Sequence, residues 1–171
     1  MSRDDELAEM KKCLIEWATN WREMWVGNAG DHSAGMVAYY DYLLEHAEFM
    51  EPDMVLTREL CEAAGVAPVL KECYHNSLLM RWCAGGERLA VYEGLAVTND
   101  LMFPLDHSWN RRYEGAAIDF TASLWKENRR VLLWGVVLPD EFILQQMTER
   151  EVSGPYLRHF IAEQVAKKPK P

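Results

Sequence analysis

The sequence lacks three features that assign many chains to a class. No apolar run approaches the roughly 20 residues that a membrane-spanning helix requires. The four cysteines include no Cys-x-x-Cys pair and no closely spaced framework, so they do not indicate a disulfide-stabilised secreted protein. Positive charge is also scarce: the formal net charge is −9, which disfavours nucleic acid and anionic membranes as partners. We therefore expect a cytoplasmic protein with reduced cysteines, bound to neither membrane nor nucleic acid.

The composition is that of a folded, soluble protein. Apolar residues make up 49% of the 171 residues and charged residues 26%, so a hydrophobic core is expected rather than disorder. The length suits one domain, and neither an internal repeat nor a long linker divides the sequence. We predict a single domain over residues 1–166 and a disordered basic tail over residues 167–171.

Helical periodicity dominates the first part of the chain. Over residues 1–70 apolar residues recur every three or four positions in three segments, which predicts three helices. Asp31 or Ser33 should cap the second helix, which should run to about Met50. Thr57 should cap the third. These helices carry no chemical motif of their own, and we interpret them as scaffold.

The pattern changes after a fourth helix, which should begin near Cys73 and end at Gly85-Gly86. Residues 71–138 hold this helix and then apolar runs of strand length, separated by turn residues. Residues 139–166 return to helical spacing after a proline suited to a first helical turn. The expected strands are 89–97, 103–111, 115–121 and 129–138. This order predicts an α+β fold, in which N-terminal helices pack on a mainly antiparallel sheet and C-terminal helices follow it.

The apolar stripe of the first helix contains Trp17, Trp21 and Trp25. These tryptophans could form a binding site for a peptide or a cofactor. Burial against the core is the preferred interpretation, because large aromatic side chains dominate the energetics of burial. Ligand binding by the tryptophans is kept as a less favoured alternative.

Three residues in the middle of the chain form a candidate nucleophile, base and orienting group. A thiol of ordinary pKa, about 8.5, is mostly protonated at neutral pH, and the thiolate is the reactive form. A helix amino terminus and a nearby histidine both favour the thiolate, which gives a chemical reason for the position of Cys73. His107 can take the thiol proton and return it to a leaving group, while Asp119 holds the imidazole in the required tautomer. The backbone N–H of Cys73 would supply one oxyanion donor.

Four short motifs follow one another in this stretch. They are Cys73 at a helix start, a strand ending in Glu93-Gly94, the run His107-Ser108-Trp109, and the Ile-Asp-x-Thr segment around Asp119. Their order resembles the transglutaminase-like branch of the papain-like cysteine protease superfamily. The resemblance implies a papain-like core in which Cys73 is the acyl-accepting nucleophile, His107 the base and Asp119 the orienting residue. It also matches Trp109 to the aromatic residue that commonly follows the family histidine by two positions.

Four residues near these motifs are candidates for substrate contacts: Trp109, Glu93, His75 and Asn76. Glu93 lies inside an apolar strand, where it either lines the cleft as an acid or faces solvent. His75 and Asn76 should lie on the first turn of the Cys73 helix, close to the cleft mouth. Capping or packing is the preferred role for these two residues, and substrate contact is the alternative.

A metal site would be a different use of the same residues. Cys73 and His75, together with Cys83, place metal-ligating side chain types on one predicted helix. The second short-spaced ligand pair of a structural zinc site is missing from the sequence. We therefore expect no metal and no other cofactor.

Two functions from different classes fit the sequence. The first is a cysteine-dependent hydrolase of an amide or thioester, which acts on a protein or small-molecule acyl substrate through an acyl-enzyme. Hydrolysis is favoured over cross-linking because one small domain offers no evident site for a second substrate. The second is a catalytically inactive transglutaminase-like fold that serves as a protein-binding or inhibitory module.

Selective alkylation distinguishes an activated Cys73 from an ordinary buried cysteine. At pH 6–7, iodoacetamide should modify Cys73 far faster than Cys13, Cys61 or Cys83, because the thiolate is the form that reacts. Peptide mapping after brief labelling measures the four rates. Equal and slow labelling of all four cysteines would favour the non-catalytic module.

Overall fold

The structure, a computed structural model, describes residues 2–28, 30–83, 89–112, 115–125, 129–150 and 154–167. The helices in this part of the chain are α1 (Arg3–Val26), α2 (Asp31–His46), α3 (Met54–Ala64), α4 (Cys73–Cys83), α5 (Asp140–Arg150) and α6 (Leu157–Lys167). The strands are β1 (Glu48–Met50), β2 (Leu89–Thr98), β3 (Leu101–Arg112), β4 (Ala117–Ile118) and β5 (Val131–Leu138). The predicted α+β class, with helices before and after the sheet, is confirmed.

The five strands form one sheet in the order β1-β5-β2-β3-β4. Each pair of neighbouring strands is antiparallel, as predicted. Strand β2 lies in the middle, where it pairs with β5 on one side and β3 on the other. Its side chains are buried from Val91 to Thr98 because helices and loops cover both of its faces.

The main core lies between one face of the sheet and helices α1, α2, α5 and α6. Met10 and Leu14 of α1 are completely buried there, together with Leu43 of α2 and Leu95 of β2. A smaller cluster lies on the other face, around Tyr92, Ala96, Trp109 and Leu133, and is covered by the segment that follows β4.

Helix α2 departs from its predicted end and from its predicted cap. It ends at His46, and Glu48–Met50 forms strand β1 on the edge of the sheet beside β5. Phe49 stacks on Trp134 at a centroid distance of 5.6 Å, so pairing with a distant strand overrides the local helical pattern. The residue at the cap position is Gly30, with no side-chain hydrogen bond. The predicted capping by Asp31 or Ser33 is therefore wrong.

Helix α3 also uses a different cap from the predicted one. The side chain of Asp53 accepts hydrogen bonds from the backbone N–H groups of Val55 and Leu56. Thr57 lies one turn further along and is completely buried. Its hydroxyl donates to the Asp53 carbonyl at 2.7 Å.

The predicted strand 115–121 is mostly a loop. Strand β4 consists of Ala117–Ile118 alone, and Ala122–Leu124 forms a single 3₁₀ turn after it. The predicted end of the Cys73 helix at Gly85-Gly86 lies outside the described residues, and so does 168–171 of the predicted tail. Lys167 is the last residue of α6. In the ranges that the structure covers, no helix is both long and apolar enough to cross a membrane.

Two glycines allow β2 and β5 to approach closely. Gly94 and Gly135 face each other across the two strands. A Cβ on Gly135 would lie 2.3 Å from the carbonyl oxygen of Glu93 and 2.5 Å from the ring of Trp109. The contact with Glu93 is to its backbone, which cannot move aside as the end of a flexible side chain could.

Gly135→Ala should therefore lower the free energy of unfolding by about 1–3 kcal/mol, the usual cost of overpacking a core. Gly35→Ala is the matched control, because nothing lies within 4 Å of a Cβ at this position in α2. This control should be neutral or stabilising by about 0.5–1 kcal/mol, the difference between glycine and alanine inside a helix. Urea unfolding of both variants measures the difference, and equal stability of the two would contradict the close approach.

Candidate functional site

Helix α4 places Cys73 at its first position. The chain reaches it through a turn in which Lys71 adopts a left-handed backbone conformation, with φ 68°. The side chain of Asn76 secures this turn: its Oδ1 accepts the N–H of Val69 at 2.9 Å, and its Nδ2 donates to the Val69 carbonyl at 2.7 Å. The same Nδ2 also donates to the hydroxyl of Thr121 at 2.8 Å. Asn76 therefore connects the segment before Cys73 to the segment after Asp119.

His107 lies on β3 opposite Gly94 of β2. Its ring is 4% exposed and lies between two indoles, those of Trp109 and Trp125, at centroid distances of 6.3 and 5.8 Å. The two indoles restrict the orientation of the imidazole. The two ring nitrogens can therefore contact other groups in the plane of the ring.

Asp119 follows β4 directly and is completely buried. Its Oδ2 lies 2.7 Å from Nε2 of His107. Its Oδ1 accepts the N–H of Ala122 at 3.0 Å, and its own N–H donates to the hydroxyl of Thr57 at 3.3 Å. Since each part of the residue is held separately, the carboxylate has a fixed direction toward the ring.

Cys73 and His107 approach each other around the edge of β3. Helix α4 contacts the face of β3 that carries Ser108 and Asn110, whereas His107 points to the opposite face. Strand β4 pairs with Asn110 and Arg111 and extends no further along β3. The edge beside His107 is therefore accessible to the first residue of α4, and Cys73 and His107 line one cavity.

The electrostatics of the pair favour a charged imidazole. Burial by itself would lower the pKa of His107, but the charge of Asp119 and its hydrogen bond, followed by the contribution of Cys73, raise it to about 10. Because Nε2 is engaged by Asp119, Nδ1 is the nitrogen left for the thiol. A side-chain hydrogen bond with Cys73 is among the contributions that raise the pKa of His107, so the thiol lies next to the ring. A cationic imidazole therefore lies beside the sulfur of Cys73.

The thiol and the imidazole open into a cavity of about 420 Å³. Strands β2 and β3, the turn before α4 and the segment after β4 supply its walls. The side chains that line it, apart from Cys73 and His107, are Leu70, Lys71, Ala96, Thr98, Leu101, Phe103, Leu105, Asp106, Thr121, Trp125 and Arg129. Cys73 and His107 of the candidate triad therefore face a space that a small molecule can occupy.

None of the four predicted substrate contacts lines this cavity. Trp109 is 1% exposed and lies behind His107. Asn76 is buried and makes the hydrogen bonds described above, which agrees with the preferred packing role, and His75 is exposed on α4. Glu93 lies on the opposite face of the sheet, next to a separate cavity.

Glu93 caps helix α6 from the middle of the sheet. Its Oε2 accepts the backbone N–H groups of Tyr156 and Leu157, both at 2.8 Å. Burial raises the pKa of Glu93, these two hydrogen bonds lower it, and the charge of Asp106 raises it again, to about 8. A buried acid at a helix amino terminus is a structural contact, which explains a charged residue inside an apolar strand.

Sequence reasoning missed two residues that hold the site. The sequence predicts Thr57 as a helix cap, but its hydroxyl supports Asp119. A buried hydroxyl on the apolar side of a helix is a weak signal for such a role. Trp125 follows the 3₁₀ turn in a segment without periodicity, so no pattern placed it against His107.

The other cysteines differ from Cys73 in their surroundings. Burial raises the pKa of both Cys13 and Cys61, and Cys83 is exposed. All four cysteines are free. Among the residues with described positions, no group of three or more His, Cys, Asp and Glu side chains is arranged to hold a metal ion.

Scans of the chain against protein-family models, curated proteins and solved structures found no match. The function is therefore inferred from the geometry of the site and from the resemblance of its motifs.

The raised pKa of His107 predicts a loss of stability at alkaline pH. A group whose pKa is about 10 in the folded protein and 6.5 in the unfolded chain stabilises fully below pH 6.5. This contribution, on the order of a few kcal/mol, is lost as the pH rises through 10. In Asp119→Asn the main cause of the shift is removed, so the slope of stability against pH between 6.5 and 10 should be shallower. Urea unfolding at a series of pH values measures both slopes.

Glu93→Gln is the control that separates the contribution of Glu93 to the pH dependence of stability from that of His107. The raised pKa of Glu93 has the same sign, and its contribution is lost between pH 4.5 and about 8. The Gln variant should flatten that lower window alone and keep the loss up to pH 10. An Asp119→Asn protein with the wild-type slope would contradict the assignment to His107.

Proposed function

We propose that this protein is a cysteine-dependent acyl-transfer enzyme, a hydrolase of amides or thioesters. The observation that carries the proposal is the buried hydrogen bond of 2.7 Å between Asp119 and Nε2 of His107, with Cys73 at a helix start beside the same ring. The free cysteines fit the predicted cytoplasmic location, and a protein or small-molecule acyl substrate remains the predicted partner. Membership of the transglutaminase-like branch, with its papain-like core, remains a prediction that the motif order supports.

Acylation begins with the thiolate of Cys73. It attacks the acyl carbon, forms the carbon–sulfur bond and moves the carbonyl electron pair onto oxygen. The oxyanion lies near the amino terminus of α4, where the N–H of Cys73 and the helix dipole stabilise it. The tetrahedral intermediate collapses as His107 donates its Nδ1 proton to the leaving amine or thiol, which leaves an acyl-thioester and a neutral imidazole.

Deacylation uses the neutral imidazole as a base. In the acyl-enzyme Cys73 carries no charge, so its contribution to the raised pKa of His107 is absent and only that of Asp119 remains. His107 accepts a proton from water as the oxygen attacks the thioester carbon. The second intermediate releases the carboxylic acid and restores the thiolate and the protonated imidazole.

Replacement of Asp119 tests the tautomer argument. In Asp119→Asn the new carbonyl oxygen can still accept the Ala122 N–H, so the amide group points its N–H₂ at Nε2. His107 then carries its proton on Nδ1 and cannot accept one from the thiol. In a serine-protease triad the equivalent change lowers turnover by about 10⁴-fold, and we expect a loss of several orders of magnitude here.

The measurement uses p-nitrophenyl acetate as an activated acyl donor. Wild-type protein should release a burst of nitrophenol equal to the enzyme concentration, and mass spectrometry should locate the acetyl group on Cys73. Cys73→Ala should abolish the burst, while the matched control Cys83→Ala, at an exposed cysteine, should retain it. Thermal melts verify folding. A folded Cys73→Ala protein with an unchanged burst would refute the proposal and favour the binding module.

A further inference from the structure

One row of side chains leads along β3 to the catalytic-site histidine. Leu105 and His107 are alternate residues of a regular stretch of β3 and face the same side. Beyond Leu105 the register with β2 shifts, and Phe103 and Leu101 continue the lining of the same cavity. These three side chains line the cavity that contains the thiol, and each is about half exposed. His107 pairs with Gly94 and Leu101 with Thr98, four residues further along β2, so at a rise of about 3.4 Å per residue the row extends on the order of 14 Å from the imidazole.

The neighbouring strand opposes this row with small side chains. Gly94 pairs with His107, Ala96 with Leu105, and Thr98 with Leu101. The alternation of large residues on β3 with small residues on β2 leaves a depression between them, with Ala96 and Thr98 in its lining. Leu70 and Trp125 close its sides near the thiol. We call this depression the β3 groove.

Apart from the candidate triad, three charged side chains line the cavity: Arg129 and Asp106 are engaged by other groups, and Lys71 is exposed at the turn before α4. Arg129 donates two hydrogen bonds to Oδ2 of Asp100, at 3.0 and 2.6 Å, and its guanidinium lies over the ring of Trp125. Asp106 lies 3.6 Å from the guanidinium of Arg158. A polar substituent placed in the groove would lose its hydration without a partner of fixed geometry, whereas an apolar one would cover exposed leucine and phenylalanine surface.

We propose that the substrate's acyl group is an extended apolar chain that lies in the β3 groove, so that the enzyme acts on thioesters or amides of apolar carboxylic acids. This inference rests on the proposed function, since the acyl carbon has to lie at the sulfur of Cys73. The row on β3 ends at His107, so a chain laid along it brings its carbonyl end to the thiol. The cavity volume is within the range of small-ligand sites, roughly 300–1,000 Å³.

The test compares iodoacetamide with N-hexyl and N-decyl iodoacetamide as probes of Cys73. The rate of labelling should rise with chain length, by at least about tenfold from the parent reagent to the decyl form, because successive methylenes become buried. The rate at Cys83, which is exposed, gives the intrinsic reactivity of each reagent. A series of p-nitrophenyl esters from acetate to decanoate should show the same order in kcat/KM.

Two substitutions locate the effect in the groove. Leu105→Asp places a charge in the row and should reduce the decyl-to-parent ratio at Cys73 by at least about tenfold. Ala96→Leu fills the depression and should reduce the same ratio, although its buried position makes a folding check necessary. Leu144→Asp is the matched control, a half-exposed leucine on α5 that does not line the cavity, and it should leave the ratio unchanged.

The possible results distinguish a failure of the apolar acyl group from a failure of the proposed acyl-transfer function. Labelling of Cys73 by plain iodoacetamide no faster than of Cys83 would overturn the proposed function. Fast labelling of Cys73 that is independent of chain length would overturn the apolar acyl group alone. A chain-length preference that Leu105→Asp and Leu144→Asp reduce equally would also overturn it, because the preference would then arise outside the groove.

Discussion

The hydrogen bond between Asp119 and His107 is the interaction on which the site depends. Both groups are removed from water, so each charge would be costly without the other. Excellent geometry and further hydrogen bonds are what make such a pair tolerable, and the second carboxylate oxygen has its own donor in the N–H of Ala122. Loss of either partner leaves an uncompensated buried group. The segments around the pair are therefore under strong constraint, whatever reaction they serve.

That constraint gives the helices before the sheet more than a scaffolding role. Strand β4 lasts for two residues and cannot hold Asp119 by pairing, so α3 does it instead. The N–H of Asp53 donates to the carbonyl of Ala117, and the hydroxyl of Thr57 receives the N–H of Asp119. From the other side, Asn76 of α4 holds Thr121. Two parts of the chain that are distant from it in sequence, α3 and α4, therefore fix this loop, and the site forms only when these parts are folded together.

Local patterns predicted the elements whose formation depends on local periodicity. The long amphipathic helix α1, the helix that begins at Cys73 and the buried strands β2 and β5 are of this kind. Strand β1 was predicted as helix, because its conformation comes from pairing with β5 more than 80 residues later. The residue types and order of Cys73, His107 and Asp119 were enough to predict the site. The positions of Glu93 and Trp109 relative to it depend on which face of the sheet each residue occupies. Register is a property of pairs of strands, and a single sequence shows one strand at a time.

The position of the thiol relative to the imidazole follows from polar contacts on the far face of β3. The hydroxyls of Ser77 and Ser108 lie 2.7 Å apart, and the side chain of Asn110 donates to the carbonyl of Ser77 at 3.1 Å. Apolar contacts tolerate small slips, but a buried hydroxyl or amide that loses its partner bears a desolvation cost. These bonds therefore fix how far α4 lies along β3. Ser77 is one helical turn from Cys73, and Ser108 is the neighbour of His107, so the same register that satisfies the serines also brings the sulfur to the ring. A one-residue shift of α4 would break the contact between the two serine hydroxyls and move Cys73 away from His107 at the same time.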